Sequence, residues 1–324
     1  MMPRVILFFA IGLLIISCKE NPIETTRLQK KDVIVFSSNR NSANKNLFKM
    51  GLDGSNLRQL TFFAEGNYVA SDISKDGEKI LFYDSWSSEP DVGTGIYIYN
   101  VPENKVIGPI AYGTPGNFSP DNKSFVYTKH IWSEGIDSIW IFSLEDGTEK
   151  RITNSTLSCC QCCFSSDGEL IAYGEVDPKS SNFFACIVLT DISGKVIKKI
   201  TANTYANYAL QPKFLKKGNK LLFSFLSEEI KSYYDICLAD INSPNIKVIS
   251  NTQQRRMYDN LTAFFHPTTN SDDTKIIFNT QRTQQVSSFN PEIAIMNIDG
   301  SEHIRLTHDN YWDSNPVVGS LYFY

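Results

Sequence analysis

Ser165-Ser166-Asp167-Gly168-Glu169-Leu170-Ile171-Ala172-Tyr173 joins a tight turn to a short apolar run that closes on an aromatic ring. Two stretches repeat it closely, Ser74-Lys75-Asp76-Gly77-Glu78-Lys79-Ile80-Leu81-Phe82 and Ser119-Pro120-Asp121-Asn122-Lys123-Ser124-Phe125-Val126-Tyr127. Looser copies lie at Lys217-Gly218-Asn219-Lys220-Leu221-Leu222-Phe223 and Asp272-Asp273-Thr274-Lys275-Ile276-Ile277-Phe278, while Val33-Ile34-Val35-Phe36 matches the strand half alone. The closing aromatics fall at 36, 82, 127, 173, 223 and 278, which gives intervals of 46, 45, 46, 50 and 55 residues. Such a period marks an array of supersecondary units, none of which can bury its apolar face alone.

A second unit recurs between these strands: an alternating strand, a turn, and a short strand ending near Leu-Thr or Ile-Thr. It is clearest as Asn46-Leu47-Phe48-Lys49-Met50-Gly51-Leu52-Asp53-Gly54 with Arg58-Gln59-Leu60-Thr61, and as Glu292-Ile293-Ala294-Ile295-Met296-Asn297-Ile298-Asp299-Gly300 with Ile304-Arg305-Leu306-Thr307. Counterparts open at Ile96, Ile139, Ile187 and Ile236, which makes six copies. Asp-Gly supplies the positive-φ residues that a tight hairpin needs. A third element precedes the Ser-x-Asp turns, as in Val69-Ala70-Ser71-Asp72-Ile73, Gly116-Asn117-Phe118, Gln161-Cys162-Cys163-Phe164 and Gln211-Pro212-Lys213-Phe214. Each repeat thus holds four antiparallel strands, and the fold class is an all-β, six-bladed β-propeller. Val33 to Phe36 stands where a second strand belongs and Asp313 to Val318 matches a first strand, so the N- and C-terminal strands pair to close the ring without an exposed edge. Leu321-Tyr322-Phe323-Tyr324 also has the character of a second strand, and the sequence leaves open which of the two completes the last blade.

These units resemble the TolB-type propeller repeat, in which Ser-Pro-Asp-Gly-Lys-x-Ile-x-Phe is followed by a strand, Asp-Gly and Leu-Thr. The similarity covers about residues 32 to 318; Asp53 to Thr61 and Ser119-Pro120-Asp121 match closely, and the copies at 217–223 and 270–278 depart from the pattern. The resemblance implies one propeller domain over residues 32–324 in a cell-envelope setting. For function it implies less, because propellers of this kind include envelope scaffolds, accessory domains of peptidases and some polysaccharide lyases. The segment ahead of residue 32 offers no candidate for the extra N-terminal domain of TolB proteins, so the resemblance is expected to be confined to the propeller.

Composition fits a large folded core: 42% of the 324 residues are apolar, 20% are charged, and 21 Phe, 15 Tyr and 4 Trp favour packed β-structure. The net charge of −4, without any basic run, excludes a surface built for a track of phosphates, and no nucleic-acid partner is expected. At the N-terminus, Arg4 precedes the apolar stretch Val5 to Ile16, which is too short to span a bilayer and has the form of a signal-peptide core. Its ending, Ile15-Ile16-Ser17-Cys18, resembles a bacterial lipobox, which implies a signal peptide over 1–17 and lipid on Cys18. Residues 18–31 then read as a flexible polar tether, and the folded part is expected beside a bacterial membrane, on the periplasmic side or at the cell surface.

Four thiols crowd one predicted innermost strand, Cys159-Cys160-Gln161-Cys162-Cys163. Strand alternation puts Cys160 and Cys162 on one face and Cys163 on the other, with Cys159 in the preceding loop. An exported protein meets oxidising conditions, so a disulfide, inert packing or a metal site are all open, although ordinary zinc knuckles use a two-residue spacer that is missing here. Cys186 and Cys237 sit in apolar strands as small hydrophobes. Asp72, Asn117 and Lys213 align with one another on the innermost strands and are candidates to line the central channel. His266 and His308 fall near the channel ends of adjacent repeats and could share a divalent metal. No Gly-x-Ser-x-Gly elbow exists, so a peptidase has no nucleophile site.

These readings favour a non-catalytic, monomeric binding or scaffolding module with an envelope protein or glycan as partner and no cofactor. Its recognition loops are expected among the longer intervals, around Glu175 to Phe184, Thr204 to Leu210, Gln253 to Asn260 and Ser287 to Pro291. The alternative is a metal-assisted polysaccharide lyase or hydrolase that uses His266 and His308.

Overall fold

A computed structural model describes residues 30–86, 94–177, 185–200, 209–226, 234–243, 245–250, 262–282 and 290–322. Most of the recognition-loop stretches, the signal segment, Cys18 and nearly all of the tether lie outside the described residues. Six four-stranded antiparallel sheets follow one another as blades. Their innermost strands are Asp313–Tyr322 (blade 1), Tyr68–Ile73 (2), Thr114–Phe118 (3), Ser158–Phe164 (4), Ala209–Phe214 (5) and Thr262–Thr269 (6), each touching the next around a closed ring. No helix among the described residues is long and apolar enough to cross a membrane.

Blade 1 is the joint. Its innermost strand comes from the C-terminal end, and Lys30–Ser38, Asn46–Gly51 and Arg58–Gln59 complete it from the N-terminal end. The register runs Lys30 against Tyr322, Ile34 against Val318 and Ser38 against Asp313. Leu321 therefore continues the same strand as Val317 and does not compete with Val33 to Phe36, which hold the second position. Lys30 and Lys31 are already in the strand, so the fold begins two residues inside the expected tether.

Alternation explains how the blades hold each other. Val33 and Val35 pack with Ile80 and Phe82 of blade 2, whereas Ile34 and Phe36 between them pack with Ile277 and Ile295 of blade 6. Successive side chains of one strand thus fill the two neighbouring inter-blade cores, which is why these strands read as continuous apolar runs.

The recurring polar residues fix the turns. Ser119 Oγ donates to Asp121 Oδ1 at 2.6 Å, Asp121 Oδ1 accepts from Lys123 N–H at 3.1 Å, and Ser124 N–H donates back to Ser119 Oγ at 2.9 Å. Ser74 with Asp76 and Ser165 with Asp167 build the same loop. Blade 6 reaches it with other residues: Asn270 Oδ1 takes the serine's place and accepts from Lys275 N–H at 2.8 Å. The Leu-Thr ending has a purpose too. Thr61, Thr153 and Thr307 turn their hydroxyls inward to accept the N–H of Leu47, Ile139 and Ile293 at 2.9 to 3.0 Å, where the outermost strand has already left the ladder.

Candidate functional site

Every blade carries a bulge next to the channel. The inner pairing slips between Ala70 and Asp72, Pro115 and Phe118, Cys160 and Cys163, Leu210 and Lys213, and Phe265 and Thr268, and between Val35 and Ser37 opposite Asn315. Gln161, Gln211, His266 and Asn315 stand at four of these bulges in the left-handed region, with φ of 46°, 59°, 50° and 54°. A bulge leaves one residue unpaired and turns its backbone N–H away from the ladder. Six N–H groups find partners across the blade boundaries, three at the bulges (Gln211, His266 and Asn315) and three beside them (Ala70, Phe118 and Phe164). Ala70 N–H donates to Ser37 Oγ (3.0 Å), Phe118 N–H to Asp72 Oδ2 (3.0 Å), Phe164 N–H to Asn117 Oδ1 (2.6 Å), Gln211 N–H to Gln161 Oε1 (3.0 Å), His266 N–H to Gln211 Oε1 (2.8 Å) and Asn315 N–H to Asn279 Oδ1 (2.8 Å). One such bond crosses each of the six junctions, so the channel wall is a closed hydrogen-bonded hoop. Pro115, Pro212, Pro267 and Pro316 also line it, which is possible because the free edge of an innermost strand needs no ladder donor.

Asp72, Asn117 and Lys213 all lie at the channel, with distinct duties. Asn117 is a junction clamp. Lys213, on blade 5, reaches across to Asp72 on the opposite blade 2, Nζ to Oδ1 at 3.0 Å. Both side chains are largely buried, and their bridge bars the channel between a cavity of about 130 Å³ on one side and one of about 300 Å³ on the other.

The cysteines differ from the expected alternation. Cys159 is inside the strand, paired with Glu175, and the left-handed Gln161 resets the phase, so that Cys159 and Cys162 share one inter-blade core while Cys163 faces the next. All four are free thiols, as are Cys186 and Cys237, and the described residues contain no group of three or more His, Cys, Asp or Glu that could hold a metal. Burial pushes the thiols of Cys159, Cys160 and Cys163 up to about 12, so they are protonated at neutral pH and are poor nucleophiles and ligands.

The two histidines go to different environments. His266 is enclosed at the channel wall, bonded through its ring to Gln211 at 3.0 Å, and burial holds its imidazole down to about 4. His308 is exposed beyond the outermost strand of blade 6 and accepts from Arg305 Nε at 3.1 Å. The structure shows no bond or shared partner between them.

Sequence reasoning missed a sorting of surface side chains. Each blade has one face where the Ser-x-Asp and Asp-Gly turns lie, and an opposite face where second strands pass to third strands and outermost strands pass to the next blade. Phe62, Trp86, Tyr112, Trp132 and Tyr311 are the exposed aromatics among the described residues, and all five stand on that opposite face. Of the exposed aliphatics, Ile107, Val196, Ile197, Val248 and Ile304 are on outermost strands, and Leu57 and Ile192 are in hairpins of the turn face. The available signal was position relative to the repeat, since each aromatic ends or follows a second or outermost strand. Arg40 anchors the same face, bonding Asp309 at 2.8 Å and the fully buried Asp313 at 2.5 Å, with Tyr311 over its guanidinium at 5.3 Å.

This geometry defines a six-bladed propeller with a barred channel and an aromatic face. Its fold is that of the TolB proteins. TolB from Acinetobacter baumannii aligns over 89% of this chain with a TM-score of 0.69 at 17% identity, and this chain covers 66% of that protein's length. A putative TolB from Agrobacterium tumefaciens aligns over 91% of this chain and 100% of its own, with a TM-score of 0.61 at 13% identity. An oligogalacturonate lyase in complex with manganese shares the fold at a TM-score of 0.55 and 11% identity, over 84% of this chain and 73% of its own. No family model matches the sequence, and no curated protein matches it.

Proposed function

We propose that the chain is a lipid-anchored propeller of the cell envelope that binds a protein partner and performs no chemistry. The observation that carries this reading is the opposition of its two faces. Both described chain ends, Lys30 and Tyr322, leave from the turn face, and the exposed aromatics are on the other. With lipid on Cys18, residues 19–29 would give a tether of roughly 40 Å at full extension, and the aromatic face would point away from the membrane. Exposed Trp and Tyr are the residue types that dominate protein interfaces when they become buried, and a rigid ring presents them without ordering cost. The channel groups support the same reading, because Asp72, Asn117, Gln161, Lys213 and His266 are engaged with one another or with neighbouring backbone.

The test is cross-linking in intact cells followed by recovery through a C-terminal tag. A defined envelope protein should accompany the native chain and be lost with Phe62, Trp86 and Tyr311 all changed to Ala; unchanged recovery would overturn the reading. The lyase reading rests on His266 at the channel and on the shared fold. It requires His266 to leave Gln211, and it predicts manganese-dependent cleavage of oligogalacturonate that His266→Ala abolishes.

A further inference from the structure

The aromatic face contains a cleft of about 700 Å³ where blades 2, 3 and 4 meet, on the other side of the innermost strands from the channel bar. Tyr112 and Trp132 stand over it, 41% and 62% exposed. The volume lies within the range of small-ligand sites, and two large rings left open to water on a concave surface are unusual for a purely structural wall.

The rest of the lining explains what could fill it. Trp132 is set by a chain of contacts: its ring meets His130 edge-on, with centroids 4.5 Å apart, and His130 Nδ1 bonds Asp137 Oδ1 at 2.9 Å. Asp137 Oδ2 accepts from Ser158 Oγ at 3.0 Å. One residue before His130 on the same strand, Lys129 pairs with Glu149. Lys129 and His130 are each bonded to a carboxylate, and the lining holds no further Lys or Arg to neutralise an anionic ligand. It does offer open aromatic faces, the remaining lone pairs of Asp137 and Glu149, and the second ring nitrogen of His130.

A pyranose is complementary to this set. Its C–H face stacks on an aromatic ring, and its hydroxyls both donate to carboxylates and accept from imidazole and ammonium groups. A uronate would instead bring a charge next to Asp137 and Glu149. We propose that this cleft binds a neutral oligosaccharide, with Trp132 and Tyr112 as stacking platforms and Asp137 and Glu149 as hydroxyl acceptors. The proposal is independent of the protein partner, which would engage Phe62, Trp86 and Tyr311.

The full chain would be titrated by calorimetry and by tryptophan fluorescence against hexasaccharides of glucose (α- and β-linked), mannose, xylose and N-acetylglucosamine, with hexagalacturonate as the acidic comparison. At least one neutral hexasaccharide should bind with a Kd below about 1 mM. Trp132→Ala should weaken it by about tenfold or more, Tyr112→Ala should weaken it as well, and Phe62→Ala should leave it unchanged. Because Trp132 is exposed, its variant should keep the native melting temperature, which separates lost binding from lost folding. Absence of binding to every neutral sugar, preference for hexagalacturonate, or binding indifferent to Trp132→Ala would each overturn the proposal. Loss of the protein partner with intact sugar binding would count against the partner reading alone.

Discussion

The two faces of the ring were built under different rules. On the turn face, Ser119 and Asp121 make the same bonds as Ser74 with Asp76 and Ser165 with Asp167, and the outer hairpins repeat one another through Asp53 with Ser55, Asp191 with Ser193 and Asp299 with Ser301. On the aromatic face the Thr61, Thr153 and Thr307 bonds repeat where the connections begin, but the side chains beyond them do not: Arg40 clamps two aspartates beside Tyr311, Lys45 lies over Trp312, and His130 supports Trp132. Repetition marks the parts any such propeller needs in order to close. The unrepeated contacts lie on the face where the proposed function puts recognition, away from the channel.

The comparison can be broken first at the shared scaffold. Phe223, fully buried between blades, is the closing aromatic of its repeat, and Phe223→Ala should cost about 3–5 kcal/mol in urea unfolding. A loss under about 1 kcal/mol would mean that blade 5 contributes little to the cooperative unit. Arg40→Ala probes the singular face at nearly the same scale. Burial raises the pKa of Asp313, and only the Arg40 guanidinium and Ser38 offset that; removing the cation leaves a buried carboxylate exposed to its full desolvation cost, with an expected loss of about 3 kcal/mol.

The hoop responds to pH through His266. Its folded-state value near 4 lies below the ordinary 6.5, so the unfolded chain takes up a proton that the folded chain refuses. Stability is complete above about pH 6.5 and falls as the pH drops toward 4, by up to about 3 kcal/mol, with His303 acting in the same direction. Chemical denaturation at pH 7 and pH 4.5 should show that difference shrinking in His266→Gln. The smallest effect belongs to a single repeated turn. Ser165→Ala removes one donor to Asp167 and one acceptor for Leu170 N–H, for about 1 kcal/mol, and the same change at Ser119 should match it.

The scaffold was legible because it is periodic. The Ser-x-Asp turns, the Asp-Gly hairpins and the aromatic strand ends each recur with a residue type that the turn or core requires, and six blades follow from them. The blade 6 turn was blurred because Asn270 replaces serine while making the equivalent bond. The phase of the cysteine strand was not legible, since alternation assumes an unbroken ladder and the left-handed Gln161 breaks it. Nor was the Asp72 to Lys213 bar: both residues could be placed at the channel, but only closure of the ring puts blades 2 and 5 opposite each other. The aromatic face escaped for a similar reason. Phe62, Trp86, Tyr112, Trp132 and Tyr311 share no local motif, only a place at or just past the end of a second or outermost strand, and the strand directions gather them on one face.

Recognition by the aromatic face, and not by the turn face, can be read in cells by placing a photo-cross-linking residue in the full chain. Positions 62 and 86 on one face would be compared with 146 and 192 in the hairpins of the other. The account predicts a discrete protein adduct from 62 and 86 and none from 146 and 192. The reverse pattern, or the same adduct from all four, would contradict it.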